Sequence, residues 1–131
     1  MKKVKKLFNM ILLNLLLVIT PTMLVYAESG SYESTYDMTG GLYSARTWDA
    51  TATPTFTVST SNCYSVYEGT IYVMLEKKKL LGWSTKDDDE LDARTSGSCT
   101  LVGDGAGTYR IYIRQLTGFQ MTGDITIEWV W

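Results

Sequence analysis

"TYRIYIRQLTGFQMTGDITIEWVW", Thr108 to Trp131, holds the two clearest strand patterns in the chain and decides its fold class. Near its start Tyr109, Ile111 and Ile113 alternate with Arg110, Tyr112 and Arg114, and towards its end Ile125, Ile127, Trp129 and Trp131 alternate with Thr126, Glu128 and Val130. A strand sends successive side chains to opposite faces, so this period of two marks half-buried β-strands, where a helix would repeat about every 3.6 residues. "LTGFQMTG" between them carries two Thr-Gly breaks, which leaves a long-looped hairpin or a crossing between sheets.

The same pattern spreads backwards. "TPTFTVSTS" sets Phe56 and Val58 against Thr55, Thr57 and Ser59, and "GTIYVMLEK" sets Ile71, Val73 and Leu75 against Tyr72 and Met74, apolar on both faces as in a central strand. Weaker strand signals run from Leu42 to Trp48 and from Ser98 to Val102. Six or so short strands, with turns at "NCYSVYEG", "GDGAG" and "MTG", predict an all-β chain: a small antiparallel two-sheet β-sandwich.

The chain opens "MKKVKKLFNMILLNLLLVITPTMLVYAESG", four lysines and then an apolar run of about 14 residues from Leu7, too short for a membrane span. Val25 and Ala27 put small residues where a signal peptidase reads, so residues 1–27 are expected to be a helical signal peptide cleaved before Glu28. No lipobox cysteine follows the run, and the lysine-rich start suits a Gram-positive bacterium. The expected product is a secreted, extracellular chain of 104 residues, one domain, with a leader over residues 28–41, rich in Ser, Gly, Tyr and Thr, and a sandwich over 42–131.

Four of the twelve basic residues and none of the fourteen acids leave with the signal, so eight cations face fourteen acids and the net charge is −6. Such a domain has no electrostatic case for nucleic acid or for stable association with an anionic membrane. With no histidine in the chain, general-base work falls to carboxylates or lysines, and no spacing singles out a pair, so the sequence points to no enzyme and no cofactor. Cys63 and Cys99, two thiols in an oxidising compartment, are expected to form a disulfide closing 35 intervening residues.

"GAGTYRIYIRQLTGFQMTGDITIEW", a Gly-Thr-Tyr opening one strand and a later strand ending in aromatic residues, resembles the closing hairpin of bacterial pre-peptidase C-terminal-type β-sandwich domains, and "GTIYVMLEKK" stands where that family has a strand followed by a variable loop. The resemblance covers about the last 60 residues. It implies a non-catalytic, jelly-roll-like accessory fold, standing alone here; the acids that family often carries in the strand equivalent to "GTIYVML" are absent.

"LEKKKLLGWSTKDDDELD", Leu75 to Asp92, is read as an excursion between strands. Asp87, Asp88, Asp89, Glu90 and Asp92 are hard oxygen donors and make a weak calcium candidate, because an EF-type loop needs alternating acids and a glycine at its sixth position. Solvated acids neutralised by Lys77, Lys78 and Lys79 fit the spacing better. Trp83 either folds back with Leu80 and Leu81 as a lid or serves as a stacking platform, and the stripe Arg110, Tyr112, Arg114 either binds a ligand or pairs with acids such as Glu128. Trp129 and Trp131 belong to the core by their alternation. The functional expectation is binding, through Trp83, Arg110, Tyr112 and Arg114, to a cell-wall glycan or an extracellular protein; a bacteriocin-like or toxin-like antagonist is the alternative.

Overall fold

The computed structural model describes residues 27–131; the expected signal peptide lies outside them except for its last residue. Nine strands follow one another: β1 (Ser29–Met38), β2 (Gly41–Tyr43), β3 (Trp48–Ala50), β4 (Thr55–Ser65), β5 (Thr70–Lys78), β6 (Trp83–Asp92), β7 (Gly97–Val102), β8 (Gly107–Arg114) and β9 (Met121–Val130). One sheet runs β1-β9-β4-β7 and the other β2-β8-β5-β6, with β3 also on β8, and every pairing is antiparallel. With β2 and β3 taken as one interrupted strand, the chain changes sheet at each step except in the β5–β6 hairpin, which is a jelly roll. The long connection after β8 is therefore a crossing between sheets, not a hairpin.

The alternations that suggested strands also set the core. Phe56 and Val58 of β4, Ile71, Val73 and Leu75 of β5, Ile111 of β8 and Ile127 of β9 are buried between the sheets. One end is aromatic: the Trp48 ring lies 5.3 Å from Phe56 and 5.7 Å from Trp129, and Trp131 packs on both Phe56 and Trp129. Truncating such a ring to alanine costs about 3–5 kcal/mol in a packed interior.

Two segments depart from the sequence expectation. The leader over residues 28–41 is instead mostly β1, paired along its whole length with β9, so the domain begins at Ser29 and not at Leu42. Its alternation is hidden because two inward positions are small: the Trp129 ring lies against Gly30, and Ser34 stands between Tyr32 and Tyr36. The acidic excursion is instead β6, the outer strand of a hairpin whose turn is closed by the Lys79 N–H donating to Gly82 C=O at 3.0 Å, with Gly82 at φ +83°. Aspartate disfavours strands, but the ladder to β5 and the tight turn override that weak preference.

The disulfide is also corrected. Cys63 and Cys99 are free thiols. Cys99 pairs across the ladder with Val58, which leaves Cys63 five residues farther along β4. At about 3.3 Å per residue the gap is roughly 16 Å, beyond any disulfide reach.

Candidate functional site

Because Tyr109, Ile111 and Ile113 face inward, Arg110, Tyr112 and Arg114 project from the outer face of the second sheet. The registers place Tyr43, Tyr112, Met74 and Asp88 in one row across it, Gly41, Arg114, Tyr72 and Glu90 in the next, and Arg110 beside Glu76 and Thr85 in a third. Trp83 sits opposite Lys78, on the same side.

Arg110 is the centre of this surface. Its Nε donates to Glu76 Oε2 at 2.6 Å, and its guanidinium carbon lies 3.8 Å from the Tyr43 ring centre and 4.1 Å from that of Trp83. Tyr43 in turn stacks on Tyr112 at 4.4 Å with the planes 24° apart. A guanidinium stacks well because it is planar and weakly hydrated, and each such contact contributes about 0.5–2 kcal/mol. Gly41 is required beneath: a Cβ there would collide with the Tyr112 ring, so only glycine lets that ring lie across the strand. Tyr43 is 54% exposed, so the cluster is a fixed platform whose upper surface is open to solvent.

Trp83, Arg110 and Tyr112 thus come together, and Arg114, exposed, lies one row away beside Tyr72. The lid reading of Trp83 is overturned: Leu80 and Leu81 are 98% and 83% exposed, and the indole packs on Arg110. The pairing with Glu128 is overturned too, since Glu128 belongs to the other sheet, between Ser31 and Thr57, and the acid that holds Arg110 is Glu76. Sequence reasoning missed Tyr43, Tyr72 and Glu76. Tyr72 was visible as an apolar outward position of a central strand; Tyr43 and Glu76 gave no local signal.

The acidic run does not gather. Strand alternation turns Asp87 and Asp89 inward with Leu75 and Val73, and Asp88 and Glu90 outward with Met74 and Tyr72. Asp87 accepts the Val102 N–H at 2.8 Å, and Asp92 accepts those of Arg94 and Thr95, which lowers its pKa. Among the described residues no three acids or cysteines converge to hold a metal ion. Lys77 does not neutralise this run: with Lys86 it clasps Asp104, at 2.7 and 3.0 Å, in the turn before β8. The two ammonium groups hold the Asp104 carboxyl below the usual range, and Asp104 raises Lys77.

Burial pushes the Cys99 thiol up to about 11, with Asp89 and Asp87 adding to it, so at neutral pH it is a poor nucleophile. An apolar cleft of about 210 Å³ lies between β1 and β2, lined by Tyr32, Ser34, Leu42, Ile111, Ile113 and Ile125 among others. A larger, more polar hollow of about 440 Å³ lies over β1 and β9 beside Ser61 and Asp124.

No family model matches the chain, and no curated protein does. Several solved structures are similar to it, two of them as follows. One is described as "Crystal structure of PirA", 8% identical, covering 82% of this chain and 96% of that one with a TM-score of 0.39. The other comes from work described as "Bacillus endospore appendages form a novel family of disulfide-linked pili", 9% identical, covering 81% and 89% with a TM-score of 0.45. Neither score is high enough to carry a conclusion about this chain.

Proposed function

We propose that this is an exported, non-catalytic binding protein whose outer β2-β8-β5-β6 face docks on a glycan of the cell envelope. The observation that carries the reading is Arg110 fixed by Glu76 between Tyr43 and Trp83, with Tyr112 stacked behind. Flat rings rimmed by hydrogen-bonding groups suit a sugar: the rings cover its C–H faces, while Arg114, Asp88 and Glu90 stand near enough to meet hydroxyls or carboxylates. A platform already ordered before binding loses little side-chain entropy on contact. Tyr, Trp and Arg are equally the residue types that dominate protein hot spots, so an extracellular protein surface is the second reading. Catalysis lacks support: the chain has no histidine, Glu76 is neutralised, and the Cys99 thiol is held protonated.

Indole fluorescence tests this reading. Trp83 is the one tryptophan outside the core cluster of Trp48, Trp129 and Trp131, so a signal absent from Trp83→Phe reports the platform. Titration with solubilised cell-wall glycan should give a saturable change that Trp83→Phe and Tyr43→Ala abolish. A flat titration with glycan together with a saturable one on envelope proteins selects the second reading; flat titrations with both refute the platform as a binding site.

A further inference from the structure

Each sandwich has four sheet edges, and in this protein three of them are guarded. β6 carries the acidic run and a bulge, Val102 of β7 is capped by Asp87, and β2 and β3 are three residues each. Charges, bulges and shortness are the devices that keep exposed edges from pairing. The fourth edge, β1, is the least guarded: it is ten residues long without proline, lysine or bulge, its only charges are Glu33 and Asp37, and it runs in unbroken register with β9 from Ser29↔Val130 to Met38↔Met121.

The hydrogen-bond phase of this edge is fixed. Glu28 and Trp131 exchange both backbone bonds, at 2.8 and 2.9 Å, so even-numbered residues of β1 direct their N–H and C=O towards β9. The groups of Ser29, Ser31, Glu33, Thr35 and Asp37 therefore point away from the sheet, and among the described residues no strand pairs them.

We propose that this edge pairs with itself, β1 lying antiparallel to β1 of a second copy about a two-fold axis at Ser34, so that two four-stranded sheets become one of eight. The occupant follows from phase and charge. Outward groups lie on odd residues, so odd must meet odd, which leaves two registers of near-complete overlap, centred on Glu33 or on Ser34. The first sets Glu33 against Glu33 of the second copy, an unfavourable like-charge pair. The second sets Glu33 against Thr35 and Ser31 against Asp37, so no like charges meet. An isologous contact of this kind closes at the dimer and goes no further.

Sedimentation of the chain from Glu28 onward, which contains all nine strands, should show a mass that doubles between micromolar and sub-millimolar concentration. Thr35→Pro should abolish the dimer while leaving the β1–β9 ladder and the circular dichroism intact, because the Thr35 N–H faces the free edge, where proline is tolerated. Thr35→Lys places a cation opposite Glu33 twice by symmetry and should tighten the dimer about fivefold, whereas Thr35→Glu should loosen it by a similar factor. In a Cys63→Ser background, Ser34→Cys should crosslink two copies under oxidation, since residues at a non-hydrogen-bonded pair sit about 4.5 Å apart. A monomer at every concentration, a dimer indifferent to Thr35→Pro, or crosslinking through Glu33→Cys but not Ser34→Cys would overturn the proposal.

Discussion

The two outer faces of the sandwich share one alternation rule and differ in almost everything else. The first sheet presents Glu33 and Thr35 of β1, Thr55, Thr57 and Ser59 of β4, Ser98 and Thr100 of β7, and Asp124, Thr126 and Glu128 of β9. These are short hydroxyls and acids, cross-linked sparsely, as by Ser59 to Ser98 at 3.1 Å, and up to the bulge at Ser61 no cation or aromatic ring stands among them. The second sheet presents long side chains locked onto one another around Arg110. All three ion pairs among the described residues involve its strands β5, β6 and β8. Water satisfies a carpet of hydroxyls at little cost, so the first face needs no further explanation. A ring stacked on an arginine that is stacked on another ring is a specified arrangement, and specification on an exposed surface is a mark of use.

That contrast can be broken first at Arg110. The Arg110 and Glu76 side chains are only 20% and 14% exposed, so Arg110→Ala leaves a half-buried carboxylate unpaired and two rings unsupported. The expected loss is about 3 kcal/mol, read as a lower denaturant midpoint with an unchanged slope. Arg110→Lys keeps the charge but not the planar stack, and should recover about half of it.

A second effect is pH. The Asp104 carboxyl titrates below its unfolded value, so its contribution is present above about pH 4 and is lost as pH falls through the folded value. Lys77 titrates above its unfolded value, so its contribution is present below about pH 10.4 and is lost as pH rises through the folded value. Hydrogen exchange in acid should therefore accelerate at β5 and β6 before β1 and β9. Asp104→Asn should flatten the alkaline edge and only part of the acid one, since Asp92 keeps its own lowered pKa. Equal acceleration in both sheets would remove electrostatics from the comparison.

The smallest effect should come from the hydroxyl face. Among the described residues the Thr57 and Glu128 side chains make no hydrogen bond or ion pair, so Thr57→Ala and Glu128→Gln should each shift stability by less than about 0.5 kcal/mol.

How far the sequence discloses all this depends on where each interaction's partner lies. β4, β5, β8 and β9 were legible because a period of two is local, and the outward direction of Arg110, Tyr112 and Arg114 followed from it. β1 was not legible, because Gly30 and Ser34 stand where apolar residues would have completed its pattern, and they are small to suit Trp129 and the cleft. β6 was obscured by residues of poor strand propensity that suit an edge. The partner of Arg110 lies 34 residues away, and nothing local separates Glu76 from the other acids. The cysteine pairing failed for the same reason: counting thiols carries no geometry. On the native protein Cys63, partly exposed, should alkylate while Cys99 reacts only after unfolding. A mass about 2 Da below that of the dithiol, with no reactive thiol in denaturant, would restore the disulfide.

The most direct measurement is retention of purified protein on cell-wall glycan, comparing Tyr43→Ala with Trp83→Ala in one variant and Thr57→Ala with Thr126→Ala in another. The first should lose retention by about tenfold or more while staying folded, as hot-spot aromatics do, and the second should match the unmodified protein. Full retention by the first variant, or loss confined to the second, would contradict the assignment of the aromatic face as the binding surface.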